Sequence, residues 1–123
     1  MQIDLPEVLA EIRVMFEAYE QALADNDTAT LDRLFWHDAR VLRIGVAESS
    51  YGHAAIANFR AARVPGAAQR GLTRVQITSF GRDCAHTCVE FERDHQHGRQ
   101  TQTWMRMSDG WRIVAAHISQ IPR

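Results

Sequence analysis

The stretch Gly71–Ile121, "GLTRVQITSFGRDCAHTCVEFERDHQHGRQTQTWMRMSDGWRIVAAHISQI", decides the fold. It divides into runs rich in β-branched and aromatic residues, "LTRVQITSF", "CAHTCVEFERD", "RQTQTWMRM" and "WRIVAAHISQI". Between them stand "GRD", "HQHG" and "SDG", short turn-forming links of which Asp109-Gly110 is the strongest signal. Links this short join antiparallel neighbours, so the C-terminal half reads as a meander of four strands.

Upstream the period is helical. In "DLPEVLAEIRVMFEAYEQALADND", Leu5, Leu9, Ile12, Phe16, Tyr19 and Leu23 fall on one stripe. Asp4 and Glu7 form a capping pair by spacing, and Pro6 is tolerated in a first turn. "DNDTATLDRLFW" reads as a turn and a short second helix, capped by Asn26 or Asp27 and burying Leu31, Leu34 and Phe35. "RVLRIGVAESSYG" reads as a hairpin or two short strands. "GHAAIANFRAAR" is a third helix with Ile56, Phe59, Arg60 and Arg63 on one side, ended by Pro65 and Gly66. Helices first and a long meander after them predict an α+β fold, with helices packed on one face of a bent antiparallel sheet. Such a sheet, curved around a helix, encloses a conical cavity suited to a small molecule.

The composition narrows the function classes. At 123 residues the chain predicts one domain with a single core. The net charge of −1 argues against a nucleic-acid-binding surface and against an acidic disordered module. No apolar run approaches the roughly 20 residues of a membrane span, and "MQIDLPEVLAEIR" lacks the features of a signal peptide, so a cytoplasmic location without membrane contact is expected. All 14 basic side chains are arginine. Coding bias accounts for that, but it also removes lysine bases and Schiff-base chemistry, leaving arginine or histidine for any cationic site. Cys84 and Cys88 on one strand would stand ~13 Å apart at about 3.3 Å per residue, too far for a disulfide, and read as small buried hydrophobes.

Several side chains have both a structural and a functional reading. Arg43 opens the run "RIGVAESSYG" and alternates with Leu42 and Ile44, so it faces away from whatever those two pack on. It is either an exposed hairpin arginine or part of a polar pocket floor. Tyr51, just before Gly52, either plugs the entrance to the third helix or offers a phenolic proton. Arg60 and Arg63 share the face of Ile56 and Phe59. They either snorkel at the edge of that stripe or point into the cavity, where each needs a carboxylate: Glu48 or a ligand's own.

On "RQTQTWMRM", Gln100, Gln102 and Trp104 alternate against Thr101, Thr103 and Met105. Two amides and an indole on one face suit a polar cavity with an aromatic wall, although an exposed strand packing on another subunit fits the same pattern. In "WRIVAAHIS", strict alternation places Trp111, Ile113, Ala115, His117 and Ser119 on one face. His117 is then a satisfied core histidine or the best general acid or base in the chain. His95 and His97 read as an exposed turn beside Gly98 rather than as metal ligands, and no metal is expected. There is no phosphate loop, dinucleotide fingerprint or nucleophile elbow.

The helix–helix–hairpin–helix–meander order, with "DGWRIVAAHIS" near the C-terminus, resembles the SnoaL-like, nuclear transport factor 2-like superfamily. More closely, "YEQALADNDTATLDRLFW", "LRIGVAESSYGHAAIANFRAAR", "FGRD", "GRQTQTW" and "GWRIVAAHIS" are similar to the AtzH-like family, which includes proteins associated with oxalurate catabolism. The similarity spans about residues 12–119.

That resemblance implies a cone-shaped, curved antiparallel sheet wrapped on three N-terminal helices, as one SnoaL-like domain over residues 1–123. It implies a cytoplasmic homodimer encoded alongside, and partnered with, amidases that degrade ureides such as carboxylated biuret or oxalurate. For the cyanuric-acid branch it implies a decarboxylase that converts 1,3-dicarboxyurea to urea carboxylate. The ligand would be a small anionic molecule. Arg43, Arg60 and Arg63 would hold its carboxylates, Gln100 and Gln102 its amides, and Trp104 would form a wall. Glu48 would destabilise the reacting carboxylate, and Tyr51 or His117 would supply a proton, with no cofactor. The alternative is a non-catalytic, small-ligand-binding accessory protein of a ureide amidase.

Overall fold

In the computed structural model, which describes residues 1–122, the chain runs α1 (Pro6–Asp25), α2 (Thr28–Leu34), β1 (Leu42–Ile44), β2 (Ser49–Tyr51), α3 (His53–Ala62), β3 (Gly71–Phe80), β4 (Cys84–Arg93), β5 (Gln96–Met107) and β6 (Gly110–Pro122). No described helix is long and apolar enough to cross a membrane.

The stripe on α1 buries Val8, Ile12, Phe16, Tyr19, Ala22 and Leu23. The helix start differs from the expected Asp4–Glu7 capping pair. Leu5 is the cap residue and makes no side-chain cap bond. Asp4, at φ 58°, instead accepts from the Ser79 N–H through its carboxylate at 2.9 Å and donates its own N–H to the Ser79 carbonyl at 3.0 Å. Its hydrogen-bonding capacity thus ties the entrance of α1 to β3. Asn26, left-handed at φ 53°, closes α1, and Asp27 caps α2 by accepting from the Thr30 N–H at 3.1 Å.

The strands form one sheet in the order β2-β1-β6-β5-β4-β3. The meander is antiparallel, as expected, but the sheet as a whole is mixed, because β1 runs parallel to β6 with Leu42 opposite Ala115. The physical reason is connectivity. α3 and three strands of the meander intervene between β1 and β6, a crossover long enough to return the chain in the same direction. α1 packs along β3 and α2 on β6. The main core between these layers includes fully buried Ile12, Leu31, Leu34, Phe35, Ile56, Trp104 and Ile113. A smaller cluster of Phe16, Val89, Phe91 and Ile118 lies toward the β4–β5 turn.

One irregularity matters for everything on β6. The register passes from Thr103 opposite Ala115 to Trp104 opposite Ile113, leaving Val114 without a partner as a β-bulge. The extra residue shifts the alternation by one. Trp111 and Ile113 face the core before the bulge, and Ala116 and Ile118 face it afterwards.

Candidate anion-binding site

Beside the smaller cluster, side chains from helices and strands surround an inner chamber with a cavity volume of about 20 Å³, room for about one water. Tyr19 comes from α1, Arg43 from β1, Arg63 from the end of α3 and Arg70 from the loop before β3. Arg93 ends β4, and Gln100 and Ile118 project from β5 and β6. Arg43, Arg63, Arg93 and Ile118 also line an outer chamber with a cavity volume of about 210 Å³, partly open to solvent, together with Val46, Glu48, Phe59 and Gln120. That size suits a small molecule.

The guanidiniums are held in different ways. Arg70 donates from Nη2 to Glu20 Oε2 at 2.7 Å, from Nε to Oε1 at 3.3 Å, and from Nη1 to Gln100 Oε1 at 2.7 Å. Arg43 donates from Nη1 to Glu48 Oε1 at 2.6 Å. Among the described residues, Arg93 donates to backbone carbonyls, those of Gln69 at 3.1 Å and Ala68 at 3.0 Å. Two rings support all four: Arg43 and Arg63 lie 4.8 and 5.7 Å from the centroid of Phe59, and Arg70 and Arg93 lie 4.6 and 5.1 Å from that of Phe91.

Counting ion pairs gives four guanidiniums and two carboxylates, Glu20 and Glu48, an excess of two positive charges. Among the described residues neither Arg63 nor Arg93 has an ion-pair partner. Both have their pKa pushed below the ordinary arginine value. For Arg63 the main cause is burial, with repulsion from Arg43, Arg60 and Arg93 adding to it. For Arg93 it is again burial, then repulsion from Arg70, which Asp94 at the adjoining turn offsets only in part. An anion placed here would relieve both the desolvation and the repulsion.

The expected site residues divide. Arg43, Arg63 and Gln100 meet at the inner chamber, and Glu48 stands at its outer mouth. Arg43 is buried and inward while Leu42 and Ile44 are half-exposed, so the exposed-hairpin alternative does not hold. Gln102 and Trp104 lie behind the wall. The Trp104 indole donates to Thr87 Oγ1 at 3.2 Å, and that hydroxyl donates to Gln102 Oε1 at 3.1 Å. Gln102 Nε2 finds no acceptor among the described residues.

Three expected residues stand elsewhere. Arg60 is buried against Asp32 and lies 5.2 Å from the Phe35 ring centroid, lining neither chamber. Its carboxylate is therefore Asp32, not Glu48, because the α2–α3 packing brings Asp32 to it. Tyr51 is 66% exposed on edge strand β2, opposite Leu42 on the outer face of the sheet. His117 is exposed on that same outer face because the Val114 bulge reverses the alternation that would have turned it inward. Cys84 and Cys88 are likewise only half-buried. His97 lies on β5 between Glu92, 2.8 Å from Nδ1, and Glu90, 2.7 Å from Nε2, so both ring nitrogens are engaged by carboxylates.

Sequence reasoning did not find Tyr19, Arg70 or Arg93. For Arg93 a signal existed, since Val89, Phe91 and Arg93 share one strand face. For Tyr19 it was only the hydroxyl at the end of an apolar stripe. Arg70 follows an irregular loop and carries no periodic signal. The Tyr19 oxygen lies 3.5 Å from Gln100 Nε2, a long contact in which it is the acceptor, leaving the phenolic proton directed elsewhere. Tyr19 brings a phenolic hydroxyl to the inner chamber, among guanidiniums that stay charged.

The helices on a curved sheet, closing over a polar chamber, define a protein of the nuclear transport factor 2-like, cystatin-like class. An NTF2-like superfamily protein from Salmonella enterica serovar Typhimurium LT2 shares the fold, with a TM-score of 0.77 at 22% identity over 95% of this chain and 93% of that one. Within this class the chain belongs to the AtzH-like family, whose model matches residues 1–123. A DUF3225-family protein of unknown function from Pectobacterium atrosepticum SCRI1043 is 45% identical, with a TM-score of 0.94 over 97% of this chain and 94% of that one. A cystatin-like fold protein from Burkholderia xenovorans LB400 is 41% identical, with a TM-score of 0.95 over 100% and 98%. No curated protein matches the chain.

Proposed function

We propose that this protein is a cofactor-free enzyme that binds a small carboxylated ureide and releases carbon dioxide from it. The observation that carries the reading is the excess of two guanidiniums over carboxylates around the two adjoining chambers, which fits a ligand bearing two negative charges. Arg63 and Arg93 would take its carboxylates by charge-assisted hydrogen bonds, and Arg43 would share one of them. Gln100 would meet its amide groups.

In the step itself the bond from nitrogen to the carboxylate carbon breaks, carbon dioxide departs, and the electron pair stays on nitrogen. Nitrogen takes a proton from the Tyr19 hydroxyl, and the phenolate, facing Arg63 and Arg93, is reprotonated from water. Those two guanidiniums stabilise the charge that develops on the tyrosine oxygen. Tyr19 replaces Tyr51 and His117 in this role because only it borders the chamber.

The test generates the unstable substrate in place, with a ureide amidase, and follows carbon dioxide release. Wild type should accelerate release, and Tyr19→Phe should bind oxalurate, a stable carboxylated ureide, yet fail to accelerate it. A second reading, an accessory ligand-binding partner of such an amidase, is supported by the position of Tyr51 and His117 away from the chamber. It predicts binding without acceleration in wild type as well, and co-purification with the amidase. A homodimer in the cytoplasm remains part of both readings.

A further inference from the structure

We infer that Glu48 is an exchangeable counter-ion, holding Arg43 until a ligand carboxylate takes its place; the inference rests on the anion-pocket reading above. The Arg43 side chain is only 7% exposed, so it requires a negative partner whenever the chain is folded. The two carboxylates of the site are built differently. Glu20 sits within α1, grips Arg70 with both oxygens and is 19% exposed. Glu48 sits on the turn between β1 and β2, reaches Arg43 by one hydrogen bond and is 28% exposed. The turn is closed by its backbone, the Gly45 N–H donating to the Glu48 carbonyl at 2.7 Å. The carboxylate can therefore rotate to solvent without unmaking the turn.

Gly45 explains how it fits when it is in. A Cβ on Gly45 would lie 1.7 Å from Glu48 Oε1 and 2.4 Å from its Cδ. Nothing in the Gly45 backbone demands glycine, because its φ is not in the left-handed region. The missing side chain makes the space into which the Glu48 carboxylate folds. Glu48 also lines the outer chamber and not the inner one, while Arg43 borders both. An anion moving inward therefore meets the Arg43–Glu48 pair on its way.

The exchange sets specificity. A ligand can displace Glu48 only by offering Arg43 a carboxylate of its own, so a neutral urea or amide cannot. A ureide that loses a carboxylate in the chamber also loses its claim on Arg43. The return of Glu48 then favours release of the product.

Calorimetric titration with oxalurate tests the exchange in wild type, Glu48→Gln, Gly45→Ala and Arg63→Ala. Removing the competing charge, or crowding it out, should tighten oxalurate binding by about fivefold or more, as expected when a competing state is depopulated. Arg63→Ala should abolish it. In a crystal structure with oxalurate, the Arg43–Glu48 contact should open beyond hydrogen-bonding distance. Binding that is lost in Arg63→Ala but unchanged or weakened in both Glu48→Gln and Gly45→Ala would overturn the exchange and leave the pocket standing. So would a complex that retains the Arg43–Glu48 hydrogen bond. Absence of binding in every variant would overturn the pocket and the exchange together.

Discussion

Arg70 and Glu20 meet at 2.7 Å across fifty positions of sequence, joining the loop before β3 to the middle of α1 and presenting the remaining guanidinium nitrogen to Gln100. The arginine side chain is 3% exposed and the glutamate 19%. Deleting one partner of such a pair leaves a charge stranded, at a cost of about 3–5 kcal/mol in a fully buried setting. Glu20→Ala should lower the denaturation midpoint toward that range. The double variant Glu20→Ala/Arg70→Met should recover a large part of the loss. Chemical denaturation of the single and double variants measures both.

Arg63 and Arg93 predict the reverse. Each is a partly buried cation whose pKa is pushed down, chiefly by burial, and neither has a carboxylate partner among the described residues. Folding therefore works against their charge. Arg63→Met should keep or raise the melting temperature while weakening oxalurate binding by ~10-fold or more, the loss of a charge-assisted contact. Paired thermal melts and calorimetry separate this from a structural role, which would lower both together.

Patterning carried the α+β class and the alternation of β5 from sequence, because those depend on periods that local residues obey. Gln100, Gln102 and Trp104 do share a face. His117 did not follow its expected alternation because a bulge at Val114 is a property of strand pairing, invisible along one strand. Asp32 could not be matched to Arg60, nor Glu20 to Arg70, because those pairs span 28 and 50 residues and are set by helix packing and a loop. The family resemblance supplied a ligand class. Arg43 and Arg63 were legible as pocket arginines, whereas the geometry added Arg70 and Arg93 and set Arg60 apart against Asp32.

His97, held between Glu90 and Glu92, should make stability depend on pH. Its pKa is raised, first by the hydrogen bond with Glu92 and then by that with Glu90. Since the folded state binds the proton more tightly than the unfolded one, the contribution is complete below the unfolded histidine value of about 6.5. It fades as pH rises through the higher folded value. Arg74, 4.0 Å from Glu90, is the other charge close to this clamp among the described ion pairs. Melting curves of wild type and His97→Gln should differ most in mildly acidic buffer and converge in alkaline buffer. An NMR titration of the His97 ring should show the elevated midpoint directly.

Gly98 connects packing to the anion site. It lies opposite Phe91 in the β4–β5 ladder, and a Cβ there would fall 2.1–2.6 Å from the far edge of that ring. Phe91 is fully buried, so the ring has little freedom to retreat. Gly98→Ala should therefore destabilise the protein by roughly 1–3 kcal/mol, the usual cost of overpacking. The same ring supports Arg70 and Arg93. A displaced Phe91 must shift the guanidiniums above it, so oxalurate affinity should fall even where the variant is fully folded. Phe91→Leu in the Gly98→Ala background relieves the clash but removes the aromatic face. It should restore the melting temperature in part without restoring affinity, which would show that the ring positions the arginines as well as filling the core.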